Sequence, residues 1–321
     1  MSNSDITLRV ENVTKSFGDF TAVDDLSFEV RAGRVFGFIG PNGAGKTTTI
    51  RMIVGITAPD AGQIKYDFPG DREQVTGNKS SFSSLVTGRS SLFDKIGYLP
   101  EERGLYKKMK VVDQLRYFAA LKDVDRAEAD KRIDRWLERM NLSEWKTKKT
   151  TDLSKGMQQK IQFISTVLHD PDLLILDEPF SGLDPVNVEF MIEVLAEFKQ
   201  ANKTVIFSTH LMETAERLCN DILLINKSKK VVSGSLRDVK ESYGRNLIAL
   251  RAVGGEAVLA DKSLVAKAVE HSDEIEIHLV DGADPQILLK KLIEGGAIIS
   301  KFERVEPSLN DIFIDQIGGA R

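Results

Sequence analysis

The sequence has one cysteine, Cys219, among 321 residues. A single thiol cannot form an intrachain disulfide, and it excludes metal clusters that are held by several thiolates. Cys219 falls in a predicted helix over residues 211–220, where a small buried hydrophobe is its expected role. A reactive thiol stays open as the alternative.

Long apolar runs and an excess of positive charge are also lacking. No run approaches the roughly 20 apolar residues of a membrane span, and the first ten residues, MSNSDITLRV, lack the apolar core of a signal peptide. A formal net charge of −4 gives no electrostatic reason to expect nucleic acid, although a local basic patch could hide in that average. We therefore expect a cytoplasmic protein, whose work at a membrane would need another polypeptide.

The chain does contain a glycine-rich turn between a short apolar strand, residues 35–39, and a predicted helix. Residues 40–47, GPNGAGKT, fit the phosphate-binding pattern of Gly, four residues, Gly, Lys and Thr. Such glycines bring backbone N–H groups against phosphate oxygens at the positive end of a helix. Lys46 is expected to reach the β- and γ-phosphates, and the Thr47 hydroxyl to bind Mg²⁺. The predicted nucleotide contacts are Asn42, Gly43, Gly45, Lys46, Thr47 and Thr48.

Two acidic residues and one histidine follow later apolar strands. The apolar run 173–176 ends in Asp177 and Glu178, and ligands bind outside the carboxyl ends of such buried parallel strands. Asp177 suits Mg²⁺, and Glu178 could accept the proton of an attacking water. His210 follows the strand 204–207, which places it within reach of a γ-phosphate. Alternatively, Asp177 and Glu178 form a solvated acidic turn, and His210 is an ordinary surface or core histidine.

The rest of the chain predicts an α/β protein with two domains, residues 1–235 and 236–321. Strands are expected at 6–13 and 26–30, with Phe17 in their connection, where it either fills the core or stacks on a base. Residues 67–92 predict an exposed excursion, with partner contact as the alternative. A helical block at about 105–170 interrupts the strands, with Ser154 as an N-cap. After residue 235 the pattern becomes a short α+β alternation.

Several of these segments occur in the order seen in ABC transporter ATP-binding subunits, which residues 6–234 resemble. The segments are Phe17, 40–48, 97–101, 153–160, 173–178, 181–184 and His210. The tail segment 306–313, EPSLNDIF, is similar to the accessory domain of a prokaryotic branch with sodium-efflux and drug-export ATPases.

The resemblance implies a P-loop NTPase core with a mostly parallel sheet, an antiparallel N-terminal β part and an inserted helical subdomain, followed by a small C-terminal α+β domain. It implies an ATPase that uses ATP and Mg²⁺ and drives an integral-membrane permease on another chain, from the cytoplasmic face of the membrane. Two copies would face each other head to tail, with ATP between the phosphate loop of one and Ser154 and Gly156 of the other. Phe17 would stack on adenine, Asp184 would contact the partner copy, and His210 would sense the γ-phosphate.

Three positions depart from the family pattern. Glu101 stands where the family usually has glutamine, and it could meet Mg²⁺ but cannot donate a hydrogen bond. Lys155 replaces a glycine and Met157 a glutamine, while Ser154 and Gly156 remain. Because Lys46, Asp177, Glu178 and His210 are present, we expect an active ATPase, an exporter component. The alternatives are a soluble mechanical ATPase acting on ribosomes or nucleic acid and a non-catalytic nucleotide sensor.

Overall fold

A computed structural model describes residues 6–68, 71–76, 94–102, 104–244, 246–270 and 274–318. The chain divides into two compact units, Met1–Ser233 and Gly234–Arg321. Among the described residues, no helix has the length and the apolar character needed to cross a membrane.

The elements up to residue 235 alternate between strands and helices. In chain order they are β1 (Ile6–Phe17), β2 (Phe20–Arg31), β3 (Val35–Ile39), α1 (Lys46–Ile53), β4 (Ala61–Phe68), β5 (Asp71–Thr76), β6 (Ile96–Leu99), α2 (Val111–Ala120), α3 (Arg126–Arg139), α4 (Lys155–Val167), β7 (Leu173–Asp177), α5 (Pro185–Gln200), β8 (Thr204–Thr209), α6 (Met212–Leu218), β9 (Asp221–Asn226) and β10 (Lys229–Ser235).

Six of these strands form one sheet in the order β10-β9-β3-β8-β7-β6. The pairs β9–β3, β3–β8, β8–β7 and β7–β6 are parallel. Every residue of β3, β7 and β8 is buried, as continuous apolar runs require when helices cover both faces of a sheet. The predicted mostly parallel sheet is confirmed, and the carboxyl ends of β3, β7 and β8 lie together at one edge.

The antiparallel sheet has the order β2-β1-β4-β5, which confirms the predicted antiparallel N-terminal part. Its strands β1 and β2 are longer than the predicted strands 6–13 and 26–30. They extend until Phe17, the last residue of β1, pairs with Phe20, the first residue of β2. The rings of Phe28, Phe36 and Phe38 lie 5.0 to 5.5 Å apart and join this sheet to β3. Within the predicted excursion, residues 71–76 form β5 against β4, a strand that we did not expect. Residues 69–70 and 77–92 of that excursion lie outside the described residues.

The inserted block consists of α2, α3 and α4. One face of α3 is apolar and packed: Ile133, Leu137 and Met140 are buried, and Trp136 packs on Phe163 of α4 at 5.9 Å. The helical block is interrupted between α2 and α3. Asp125 starts α3 there, because its side chain accepts the N–H groups of Ala127 and Glu128.

The second unit contains α7 (Leu236–Gly244), β11 (Leu247–Val253), α8 (Glu256–Leu259), β12 (Val265–Glu270), β13 (Ile275–Leu279), α9 (Pro285–Glu294), β14 (Ile298–Arg304) and α10 (Leu309–Gly318). Its strands form an antiparallel sheet in the order β12-β13-β11-β14. Leu288 and Leu292 of α9 pack on Ile248, Leu250 and Ile277 of the sheet. Asp284 caps α9, because its side chain accepts the N–H of Gln286. The unit confirms the short α+β alternation predicted after residue 235.

Candidate active site

The glycine-rich loop turns from β3 into α1 through two glycines in the left-handed region. Gly43 has φ 78° and Gly45 has φ 108°, conformations that side chains rarely adopt. A Cβ atom on Gly45 would lie 2.4 Å from the carbonyl oxygen of Ala22, so only glycine fits there. Asn42 and Gly43 are exposed, and Thr47 and Thr48 are half-buried.

Lys46 begins α1 and is 5% exposed. Its Nζ donates hydrogen bonds to the carbonyl oxygens of Gly40 at 2.7 Å and Pro41 at 3.2 Å. The same nitrogen lies 3.4 Å from Oε1 of Glu178. The ammonium group is therefore held over the loop, between backbone oxygens and a carboxylate.

Asp177 ends β7 and has no exposed surface. Its Oδ1 accepts hydrogen bonds from Ser208 Oγ at 2.5 Å and Thr47 Oγ1 at 3.2 Å. Its Oδ2 is buried and has no hydrogen-bond partner among the described residues. Burial raises the pKa of this carboxyl, against the lowering effect of the hydrogen bonds from Ser208 and Thr47.

The unpartnered Oδ2 of Asp177 is the observation that bears on Mg²⁺ binding. Among the described residues, no group of three or more His, Cys, Asp or Glu side chains could hold a metal ion. Mg²⁺ is, however, commonly bound by one or two carboxylates together with substrate phosphates and water. Asp177, with an unpartnered oxygen beside the Thr47 hydroxyl, fits that mode of binding.

Glu178 follows Asp177 with φ 47°, in a region that few residues other than glycine occupy. Its N–H donates to Ser208 Oγ at 2.9 Å, and its Oε2 lies 3.0 Å from Nδ1 of His210. Its Oε1 contacts the Lys46 ammonium without hydrogen-bond geometry. Backbone strain of this kind persists where surrounding contacts fix it, and it concentrates at functional sites.

His210 joins this group from the end of β8, and its side chain is 48% exposed. The imidazole therefore lies between the buried Glu178 carboxylate and solvent. The structure brings Lys46, Thr47, Asp177, Glu178 and His210 together at the edge of the parallel sheet.

Phe17 lies away from the core, with 55% of the residue exposed, so the core-filling interpretation is wrong. The Nζ of Lys15 lies 5.5 Å from the centroid of the Phe17 ring. One face of an exposed aromatic ring can stack on a base while the other meets a cation.

The predicted second half-site lies on other elements. Ser154 is exposed and caps α4, where its Oγ accepts the N–H of Met157 at 3.3 Å. A Cβ atom on Gly156 would lie 3.8 Å from the Leu183 side chain, so this helix start adjoins the 181–184 segment. Asp184 caps α5, and hydrogen bonds from Asn187 lower its pKa. Within the described parts of the chain, no hydrogen bond or ion pair links Ser154, Gly156 or Asp184 to the phosphate loop.

The departures from the family pattern lie at the start of α4 and in the segment after β6. Lys155 is exposed in the first turn of α4, and Met157 is half-buried. Glu101 is exposed in the segment after β6. Gln162 of α4 holds the residues on both sides of it, because its Nε2 donates to the carbonyl oxygens of Pro100 and Glu102, each at 3.1 Å.

Sequence reasoning missed Ser208 and Gln162. Ser208 pairs with Asp177 across the parallel strands β7 and β8, so a hydroxyl one strand away from the acidic pair was the available signal. Gln162 is 3% exposed on α4, and a buried amide needs specific hydrogen-bond partners.

Two of the matches to known protein families together span most of the chain. Residues 23–181 match the model of the family described as ABC transporter. Residues 234–317 match the C-terminal domain of DrrA1-3-like ATP-binding proteins.

Whole-chain comparisons find the same class of protein. The chain is 42% identical over 311 residues to the ABC transporter ATP-binding protein YhaQ of Bacillus subtilis (strain 168), covering 97% of this chain and 98% of that one. It is 34% identical over 253 residues to Nod factor export ATP-binding protein I of Cupriavidus metallidurans, covering 76% and 79%. Among solved structures, an ATP-binding subunit of an ABC transporter superposes with a TM-score of 0.64 at 29% identity, covering 74% of this chain and 93% of that one.

Proposed function

The chain belongs to the family of ABC transporter ATP-binding proteins, and from that premise we propose that two copies of it close around Mg²⁺-bound ATP to drive an exporting permease. ATP binding and hydrolysis are the activity of the chain. The head-to-tail pairing, the use of Mg²⁺, the export direction, the position on the cytoplasmic face of a membrane and the residue roles given below are our proposals.

The observation that carries the proposal is the meeting of three charged groups at one sheet edge. Lys46 Nζ is 3.4 Å from Glu178, and Asp177 next to it has an unpartnered oxygen. Phosphoryl transfer to water needs a cation that binds phosphate, a carboxylate that binds the metal ion and a carboxylate that activates water. A nucleotide sensor that does not hydrolyse would have no use for the strained Glu178.

Each of these residues has a specific proposed role. Glu178 accepts the proton of the attacking water, and His210 holds Oε2 of that carboxylate through Nδ1 while facing the γ-phosphate. Lys46 leaves the carbonyl oxygens of Gly40 and Pro41 and neutralises phosphate charge. Thr47, Asp177 and Glu101 would hold Mg²⁺, which when bound supplies positive charge against the phosphate oxygens.

Adenine binding is assigned to Phe17, with Lys15 against the ring. The loop glycines and Asn42 present backbone N–H groups to the phosphates, and Thr48 continues the first turn of α1.

The second half-site explains why one copy is insufficient. Ser154 and Gly156 form the start of α4, whose free N–H groups and dipole favour a phosphate. No hydrogen bond or ion pair connects them to their own phosphate loop in the described structure, which supports the proposal that a second copy brings them to it. Asp184, exposed at the start of α5, contacts that second copy.

Contact with the permease is assigned to a groove between β6 and the helical block. It is lined by Ile56, Tyr98, Pro100, Phe118, Leu121 and Gln162. Ile56 and Leu121 are 57% and 61% exposed, which leaves apolar surface for an apolar segment of the permease. Gln162, which lines the groove, also holds Pro100 and Glu102 on either side of Glu101, a proposed Mg²⁺ ligand.

Export is the proposed direction because Nod factor export ATP-binding protein I is among the relatives, at 34% identity. Reconstitution of the chain with its permease would test this direction. Accumulation of substrate on the ATP-containing side would contradict it.

Mixing two inactive variants tests the shared site directly. Lys46→Ala removes the phosphate-loop cation, and Ser154→Ala removes the opposite half-site, so each variant alone should lack ATPase activity. In an equal mixture, half of the dimers are mixed and each has one intact site. Recovery of about a quarter of the wild-type turnover is expected. A mixture as inactive as its components, although both variants fold and Ser154→Ala binds ATP, would contradict the proposal.

A further inference from the structure

Two short runs of the helical block are strongly basic in a chain of net charge −4. Residues 106–112, YKKMKVV, and residues 146–150, KTKKT, contain six lysines and no acidic residue. The balanced charge of the whole chain therefore conceals a local excess of cations.

The fold brings these two runs side by side. Lys110 and Lys149 are paired in an isolated antiparallel bridge. Val111 N–H donates to Lys148 O at 3.0 Å, and Thr150 N–H donates to Met109 O at 3.1 Å. Thr150 Oγ1 also donates to Tyr106 O at 2.8 Å. Backbone hydrogen bonds thus fix the lysines of both runs in one surface patch.

Five of these lysines form what we call the lysine ridge: Lys107, Lys108, Lys110, Lys148 and Lys149. All five are exposed. The sixth, Lys146, is neutralised by Asp134 at 2.5 Å. Within the described part of the chain, no ridge lysine forms an ion pair with a carboxylate.

Nearby acidic side chains have other partners. Asp113 lies 3.9 Å from Arg116, and Asp152 accepts the backbone N–H of Lys149 at 3.2 Å. Like charges directly opposite each other across paired strands are destabilising, so the ridge carries an uncompensated cost in the free chain. An anionic partner would remove that cost.

Exposed aromatic rings border the ridge. Tyr106 and Tyr117 are 51% and 41% exposed, and their ring centroids are 5.8 Å apart. Together with Lys107, Lys108 and Met109 they line an open depression. Tyrosines with an apolar ring and a polar hydroxyl favour the boundary between lipid and water, where lysine ammonium groups meet phosphates.

We propose that the lysine ridge binds the anionic phospholipid headgroups of the membrane in which the permease lies. The proposal rests on the proposed function only in that this function brings the chain to a membrane. The ridge contains lysine and no arginine, and lysine acts as a compact point charge that needs no bidentate geometry. That chemistry suits a plane of lipid phosphates better than an acidic protein segment, which a planar guanidinium would recognise more specifically.

Vesicle binding by the full chain tests the ridge. The probes are vesicles of phosphatidylcholine alone and vesicles that also contain phosphatidylglycerol. Each lysine near an anionic surface strengthens binding about fivefold, so the triple variant Lys108→Gln, Lys148→Gln, Lys149→Gln should bind the anionic vesicles about 100-fold more weakly. Added salt should weaken wild-type binding, because it screens the headgroup charge.

The matched control is Lys199→Gln, Lys262→Gln, Lys267→Gln, which removes the same charge from exposed sites elsewhere. It should bind anionic vesicles within about threefold of wild type. Equal losses in the two triple variants, or wild-type binding that does not depend on phosphatidylglycerol, would overturn the proposal. So would a ridge variant that binds vesicles normally but loses binding to nucleic acid or to the detergent-solubilised permease.

The ATPase assay without lipid separates this proposal from the proposed function. The ridge variant should hydrolyse ATP in solution as wild type does, because the ridge lysines make no contact with Lys46, Asp177 or Glu178 among the described residues. A chain that hydrolyses ATP as a dimer but does not bind anionic vesicles would overturn the ridge proposal alone.

Discussion

The ammonium nitrogen of Lys46 lies 3.4 Å from Oε1 of Glu178, and both side chains are more than nine-tenths buried. The cation proposed to hold phosphate and the carboxylate proposed to activate water therefore neutralise each other before nucleotide binds. An arriving phosphate would compete for Lys46 and leave the Glu178 carboxylate free to accept a proton.

Replacing Glu178 by glutamine should lower ATP turnover by about 100-fold or more, because the amide cannot accept the proton of water. ATP binding should persist, since the loop and Lys46 are unchanged. Steady-state phosphate release and nucleotide titration measure the two quantities. The control Glu193→Gln, on an exposed face of α5, should leave turnover unchanged. Wild-type turnover in Glu178→Gln would remove Glu178 from its role.

The same variant should accumulate as an ATP-bound dimer. In the proposed cycle hydrolysis reopens the shared sites, so a hydrolysis-deficient chain with Mg²⁺ and ATP should stay closed. Light scattering after size exclusion measures the mass of the complex. A monomer under saturating ATP would contradict the head-to-tail scheme, and the further change Ser154→Ala should return the chain to a monomer.

Ser208→Ala should weaken metal binding. The Ser208 hydroxyl donates to Asp177 at 2.5 Å and accepts the N–H of Glu178 at 2.9 Å, so it orients both acids. Losing such an outer contact typically costs about 10- to 100-fold in metal affinity. The Mg²⁺ dependence of ATP hydrolysis measures this affinity. Ser300→Ala, which removes a hydroxyl bound to Arg251 O in the second unit, serves as the control, and an equal shift in both variants would refute the role.

Two glutamines one helical turn apart should have separable effects. Gln162→Glu removes the donor that holds Pro100 and Glu102, so the Mg²⁺ requirement should rise as Glu101 loses its position. Gln158→Glu removes the donor to the carbonyl oxygens of Thr150 and Leu153 and should instead weaken ATP-dependent dimerisation through Ser154. Titration of Mg²⁺ and dimer mass distinguish the two variants. Identical changes in both would mean that α4 is merely destabilised.

His169 should make the first unit sensitive to acid. Its Nε2 lies 3.1 Å from Ile96 O, and burial, followed by the charge of Lys122, lowers its pKa from 6.5 to about 4. As the pH falls from 6.5 towards 4, the unfolded chain takes up a proton that the folded imidazole does not. The free energy of unfolding should therefore fall through that window.

Tryptophan fluorescence in urea measures this effect, because Trp136 and Trp145, both in the first unit, are the chain's 2 tryptophans. Wild-type unfolding should take up about one more proton between pH 6.5 and 4 than unfolding of His169→Gln. The free energy of unfolding of the variant should therefore depend less on pH in that window. An unchanged dependence would contradict the assignment to His169.

The sequence predicted the parts of the site that depend on local chemistry. The phosphate loop, the acidic pair after β7 and the helix cap at Ser154 each need particular residue types over a few positions, so a single sequence contains their signal. The parallel sheet followed from wholly apolar runs, since only strands covered on both faces are apolar throughout.

What sequence reasoning missed depends on contacts between distant segments. Ser208 meets Asp177 only because β7 and β8 pair in parallel register, 31 residues apart in the chain. Residues 71–76 form a strand because β4 offers an edge, although their own pattern is weak. The exposure of Phe17 likewise follows from its place beside the two-residue loop of the β1–β2 hairpin, which residue type alone could not indicate.

The packing of Cys219 has a practical result. Its thiol is buried, and a Cβ atom on Gly37 of β3 would lie 2.5 Å from the sulfur, so the side chain fills a tight space in the core. Burial also raises the pKa of the thiol, which keeps it in the unreactive protonated form. A fluorophore or spin label directed to an introduced surface cysteine would therefore attach at that one place, and distances between two copies could be followed through a catalytic cycle without first altering the native chain.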